Sequence, residues 1–196
     1  MRQVQTGRSG GIPFKLNRCV WPVAAAALFL GGGQFTQAAP QPATWEGNSA
    51  PGGDGVNWTN ADNWTTDGMA DVAPPATSPG DDLTFGNGTI GTINLQGNEF
   101  ANSLAFNAGF TLDAPGSTNT LTLASGSISV GSLDSATMNA SVAGTDGLNL
   151  SGAGTLVLDG ANNYTGATNI NGGTLVAGGA SALPAGSINV GSMSFS

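Results

Sequence analysis

The sequence predicts an all-β chain wound as a parallel β-solenoid, and three observations carry that reading. From Leu83 onward, short runs of alternating apolar and polar residues recur between glycines and asparagines, the period-two signature of brief strands. The stretch Thr155–Gly160, TLVLDG, returns 19 residues later as Thr174–Gly179, TLVAGG, a spacing that suits one coil stacked on the next. Downstream of the N-terminal leader no sustained i, i+3, i+4, i+7 apolar stripe survives the glycines, so helices are not expected. An antiparallel β-sandwich is the alternative, but it wants longer strands and more aromatic residues than these runs supply.

Residues 1–38 read as a signal peptide. All four basic residues, Arg2, Arg8, Lys15 and Arg18, precede the apolar run Val20–Leu30, which is too short to span a bilayer as a helix. Thr36 and Ala38 hold the small-residue positions before a cut between Ala38 and Ala39, and Pro40 disfavours a cut immediately before it. No adjacent arginine pair precedes the run, and Cys19 lies ahead of it, where a lipid-anchor cysteine would follow. An uncleaved N-terminal anchor is the other reading, and it too places the remainder outside the cytoplasm.

Removing the leader takes away every Lys and Arg and the single Cys while all twelve Asp and Glu remain, so the formal charge moves from −8 to −12. A purely acidic chain is repelled by phosphate backbones and anionic lipid heads, which excludes nucleic acid as a partner. Without cysteine it is not a disulfide-stapled domain.

Residues 39–82 differ in character. The stretch Thr44–Gly68, TWEGNSAPGGDGVNWTNADNWTTDG, holds Trp45, Trp58 and Trp64 as its only large apolar groups, and their expected task is to plug the first rung of the solenoid as an N-terminal cap. Residues 83–196 then carry the strands: LTF at 83–85, TINL at 92–95, SLAF at 103–106, FTLD at 110–113, LTL at 121–123, SISV at 127–130, LNL at 148–150, TLVL at 155–158, TNI at 168–170, TLV at 174–176 and SINV at 187–190. Near the end Ile188, Val190, Met193 and Phe195 keep a strand register with no polar capping element, which predicts an open edge and edge-to-edge self-association.

The segment Gly152–Gly178, GAGTLVLDGANNYTGATNINGGTLVAG, resembles the autotransporter-associated β-strand repeat. Gly154–Leu156 matches its opening strand, Asp159–Asn162 its Ser-Gly-Ala-Asn element, Tyr164–Gly166 its Tyr-Thr-Gly turn, Thr168–Asn171 its second strand and Gly173–Leu175 its closing strand. The resemblance implies a right-handed parallel β-helix in an exported bacterial protein, extracellular or held at the cell surface or outer membrane. It further implies a stalk or an adhesin-like passenger meeting cell-surface, extracellular matrix or glycan ligands. Such proteins end in a translocating barrel of many alternating strands. The sequence stops at Ser196 inside the solenoid pattern, which is expected either of the N-terminal piece of a longer protein, with a barrel or anchor domain beyond, or of a truncated product.

The candidate sites are few. With no His, Lys, Arg or Cys after residue 38, neither the cationic base of a polysaccharide lyase nor a Ser-His or Cys-His nucleophile can be assembled, and the chain is expected to be non-enzymatic, with no catalytic residue and no cofactor. The adjacent Asp81 and Asp82 are read as a turn before the strand at Leu83 rather than as a carboxylate pair. Asp54 and Asp62, in the Gly-rich stretch with Asn57 and Asn60, are the candidate calcium ligands, since hard cations take oxygen donors; turn chemistry accounts for the same residues. Trp58 and Trp64 are the candidate carbohydrate-binding pair of an alternative extracellular carbohydrate-binding module, against burial in the cap. Tyr164 is expected to pack in its turn against a neighbouring coil.

Overall fold

A computed structural model describes residues 42–47, 53–66, 69–70, 80–86, 90–116 and 118–191, all within the unit Ala38–Ser196. The leader, its cleavage site, Met193 and Phe195 lie outside the described residues. The strands, in chain order, are β1 (Pro42–Trp45), β2 (Trp64–Thr66), β3 (Met69–Ala70), β4 (Asp81–Phe85), β5 (Thr92–Asn94), β6 (Glu99–Phe106), β7 (Phe110–Asp113) and β8 (Thr120–Val130). They continue with β9 (Ser135–Met138), β10 (Ser141–Ala143), β11 (Leu148–Gly152), β12 (Thr155–Leu158), β13 (Thr168–Ile170), β14 (Thr174–Ala177) and β15 (Ile188–Val190). No α-helix occurs among the described residues, and a 3-10 turn spans Ala61–Asn63.

Two sheets face each other. The first runs β15-β13-β11-β8-β6-β4-β1-β2-β3, with β10 also paired to β8, and the second runs β14-β12-β9-β7-β5. Pairing is parallel throughout except at the N-terminal end, where β2 is antiparallel to both β1 and β3. Parallel stacking decides between the two expected architectures: the chain is a β-solenoid and not an antiparallel sandwich. The 19-residue offset is one coil, because Thr155–Leu158 pairs in register with Thr174–Ala177.

Alternation places one column of side chains over another. Leu83, Leu104, Ile128, Leu150, Ile170 and Val190 are successive register partners in the first sheet, and Ile93, Leu112, Met138, Leu158 and Ala177 in the second. A third column shrinks along its length, from Trp45 through Phe85, Phe106 and Val130 to Gly152. The interior is therefore aromatic and wide near the N-terminus and aliphatic and narrow in the later coils, and it forms one continuous core.

Several local expectations are corrected. Asp81 and Asp82 open β4 itself, with a bulge between them, because both residues find partners in β6. The runs at 121–123 and 127–130 are one strand, since Gly126, at φ 64, lets β8 continue through the irregular step. The segments SATM and SVA, too small and polar to register as apolar runs, form β9 and β10.

Candidate functional site

The N-terminal end is built around tryptophan. Trp45, Trp58 and Trp64 are all fully buried. Trp64 stands edge-on to both others at ring-centroid distances of 5.0 Å, and Phe85 joins the cluster at 5.6 Å from Trp64. The Trp64 indole donates to the Trp58 carbonyl at 2.7 Å, whereas the indole N–H groups of Trp45 and Trp58 are buried without a partner. Neither Trp58 nor Trp64 has an open face on which a sugar ring could stack. Their six-residue spacing does not place them on one strand face: Trp64 starts β2, while Trp58 lies in a segment that bridges to β5, its N–H donating to the Asn94 carbonyl at 3.0 Å. The cap thus covers the outer edge of both sheets.

Asp54 organises this cap. Its Oδ1 accepts from the N–H groups of Val56 and Asn57, both at 2.9 Å, and from the Asn63 amide at 2.8 Å, while Oδ2 accepts from the Asn57 amide at 2.7 Å. Asn63, fully buried, also accepts from the Gly55 N–H and donates to the Asn57 carbonyl. The slight burial of Asp54 pushes its pKa up, but the hydrogen bonds from Asn57, Asn63 and Val56 outweigh it and hold the carboxyl well below its ordinary value. A cation arriving at this carboxylate meets four N–H groups with their positive ends turned toward it, so turn chemistry accounts for Asp54 more fully than calcium ligation does. Asp62 sits in the 3-10 turn, its N–H capped by the Asn60 side chain at 3.1 Å.

Other polar groups are structural as well. Asp82 accepts from the Asn102 amide at 2.7 Å and the Ser103 hydroxyl at 2.6 Å. Tyr164 is 2 % exposed and shares a 2.8 Å hydrogen bond with the Thr168 hydroxyl; burial pushes its phenol up and that bond pulls it partly back. Glu99 is 2 % exposed at an inward position of β6, in register with Leu121 and, one coil on, Val142. Burial pushes its carboxyl up.

Three surface features escape a reading of the sequence by residue type. Asn149, Asn169 and Asn189 form an amide ladder on the outer face of the first sheet: Asn169 donates to Asn149 Oδ1 at 2.7 Å and Asn189 to Asn169 Oδ1 at 2.8 Å. The signal lay in the 20-residue recurrence of Asn followed by Leu, Ile or Val. A groove of about 370 Å³ is lined by Thr118, Asn119, Thr120, Asn139, Ser141 and Asn163, together with Ala114 and Ala161 and no charged group. Leu133, fully exposed, holds φ 69 in the turn before β9, a left-handed conformation that strains a leucine.

The family model for the passenger-associated-transport-repeat matches residues 148–177, the span from β11 to β14. That match supports an autotransporter passenger repeat over these coils, in agreement with the resemblance read from Gly152–Gly178. No curated protein and no solved structure matches the chain.

Proposed function

We propose that the chain is an exported, non-enzymatic passenger module that works at the bacterial cell surface as a stalk or adhesive scaffold. The observation that carries this reading is the passenger repeat at residues 148–177, which falls on coils already stacked in register with their neighbours. The chemistry agrees. Beyond residue 38 the chain offers no basic, imidazole or thiol group, and the carboxylates Asp54 and Asp82 are engaged in holding loops and strands.

What such a module offers a partner is shape and neutral hydrogen bonding. The uncharged groove, with amides at Asn119, Asn139 and Asn163 and hydroxyls at Thr118, Thr120 and Ser141, suits neutral glycans better than charged ones. Expression of the full chain with an epitope after Ser196 in a bacterial host, followed by fractionation, tests the reading. A shortened chain recovered outside the cytoplasm is expected, and a full-length chain confined to the cytoplasm refutes export.

A further inference from the structure

We propose that Asn139 and Asn163 are attachment sites for an N-linked neutral sugar, transferred by a host enzyme from a glycosyl diphosphate. The proposal shares its groove with the adhesive reading but not its test, because covalent sugar is read from mass whether or not the chain is exported.

The sequence holds six Asn-x-Ser/Thr triplets with no proline at the middle position, beginning at Asn57, Asn63, Asn87, Asn139, Asn149 and Asn163. The fold separates them. Asn63 is fully buried in the cap. Asn57 gives its amide to Asp54 and accepts from Gln96, and Thr59, the hydroxyl residue of that triplet, donates to Gln96 at 2.9 Å. Asn149 stands within β11, its Oδ1 held by Asn169. Asn87 lies outside the described residues.

Asn139 and Asn163 remain. Both are exposed, and both lie in corners, the first between β9 and β10 and the second between β12 and β13. Neither side chain makes a hydrogen bond among the described residues. In each triplet the middle residue is anchored inward, Ala140 at 1 % and Tyr164 at 2 % exposure. Burial alternates across the triplet, so the asparagine and the hydroxyl residue two places on, Ser141 or Thr165, share the outer side. An enzyme that reads an asparagine together with that hydroxyl finds both on one accessible face.

Both asparagines line the same groove of about 370 Å³, which is large enough for a hexose. Its hydroxyls and amides at Thr118, Asn119 and Thr120 offer hydrogen bonds to sugar hydroxyls. The chain has no cation after residue 38 to pair with an anionic sugar, so the sugar that fits is neutral. In the transfer, the asparagine Nδ2 bonds to the anomeric carbon as the bond from that carbon to the diphosphate oxygen breaks. The diphosphate leaves with the bonding electrons, and the amide gives up one proton to a base of the transferase.

The test maps peptides of the full chain by mass spectrometry, taken from whichever fraction of its own bacterium holds it. One hexose, or one preassembled oligosaccharide, is expected at Asn139 and at Asn163, with Asn57, Asn63 and Asn149 bare. A single hexose identifies a nucleotide-sugar donor, and an oligosaccharide a lipid-linked one. Ser141→Ala and Thr165→Ala keep each asparagine but should remove the sugar from Asn139 and Asn163 respectively, with circular dichroism confirming an unchanged β spectrum. A bare peptide at either asparagine, sugar spread equally over Asn57, Asn63 and Asn149 as well, or sugar retained after loss of the paired hydroxyl overturns the proposal.

Discussion

Replacing Glu99 with leucine should stabilise the solenoid, and the effect should grow with pH. Glu99 occupies an inward site of β6 at 2 % exposure, with Leu121 and Val142 stacked on it in register, and no hydrogen bond to its carboxylate is found among the described residues. Its carboxylate oxygens are not among the fully enclosed polar atoms left without a partner, so they keep contact with water and the cost falls at the low end of the range for an unpaired buried polar group, about 1 kcal/mol. Leucine extends the aliphatic column and removes that cost, and its volume is close enough to avoid overpacking.

Burial raises the folded-state pKa of Glu99 above its unfolded value. The native state thus holds the proton more tightly, so the stability this group lends is fully present below the unfolded pKa and is lost as pH rises through the folded one. The wild type should fall behind the leucine variant above about pH 5 and match it most nearly near pH 4. Taking about 1 kcal/mol at neutral pH and the usual entropy of unfolding for a unit of this size, the variant should melt about 2–4 °C higher. Thermal unfolding followed by circular dichroism across that pH range reads the difference, and because the other carboxylates are common to both proteins their titration cancels. Parallel melting curves, or a leucine variant less stable at neutral pH, would refute a carboxyl destabilised by its burial and point to a partner that holds its charge.

The remaining predictions address other parts of the molecule. Asn63→Ala should lower stability by about 2–4 kcal/mol, since it strips donors from Asp54 and the Asn57 carbonyl and leaves the Gly55 N–H unmet; chemical denaturation measures it. Because the Asp54 pKa is depressed, its contribution is present above the unfolded value of about 4 and is lost as pH falls further, so Asn63→Ala and wild type should converge in strong acid. Gly152→Ala should unfold the repeat coils at lower temperature, because Gly152 holds φ 88 and an added Cβ meets the Val130 carbonyl at 2.0 Å. Leu133→Gly should do the opposite, raising stability by about 1 kcal/mol in chemical denaturation as the left-handed strain is released. Mass spectrometry of exported material should find Ala39 at the N-terminus, and an intact leader there would count against the signal reading.

How much of this was legible in the sequence depended on whether a residue's role repeats. The coils after Leu148 were plain because each inward Leu, Val or Ile recurs at the coil spacing and each glycine marks a corner, so alternation and period point the same way. Strands β9 and β10 were hidden because Ser135–Met138 and Ser141–Ala143 borrow their burial from neighbouring coils and advertise little apolarity themselves. Asp81 and Asp82 were misjudged for a related reason: turn propensity is local, while the partners that hold them in β4 lie one coil away in β6. Glu99 shows the converse, a charged residue whose inward position is visible only once Ala101 and Leu104 fix the phase of β6 across its bulge.

The two ends of the solenoid differ because they solve the edge problem by different chemistry. At the N-terminal end the interior is widest, and Trp45, Trp58 and Trp64 fill it while β2, β3 and the Asp54-centred loop occupy both sheet edges. Two of those indoles sacrifice a hydrogen bond to do so, which shows that filling volume outweighs satisfying an N–H there. By Gly152 the aromatic column has tapered to no side chain at all, so the later coils need neither aromatic filling nor a bulky plug. The backbones approach closely there, since a Cβ added at Gly152 would meet the Val130 carbonyl at 2.0 Å, and the outer face is ordered by the asparagine ladder. A narrow coil of this kind repeats its surface from step to step, and that sameness is what lets Asn149, Asn169 and Asn189 line up as one amide ladder.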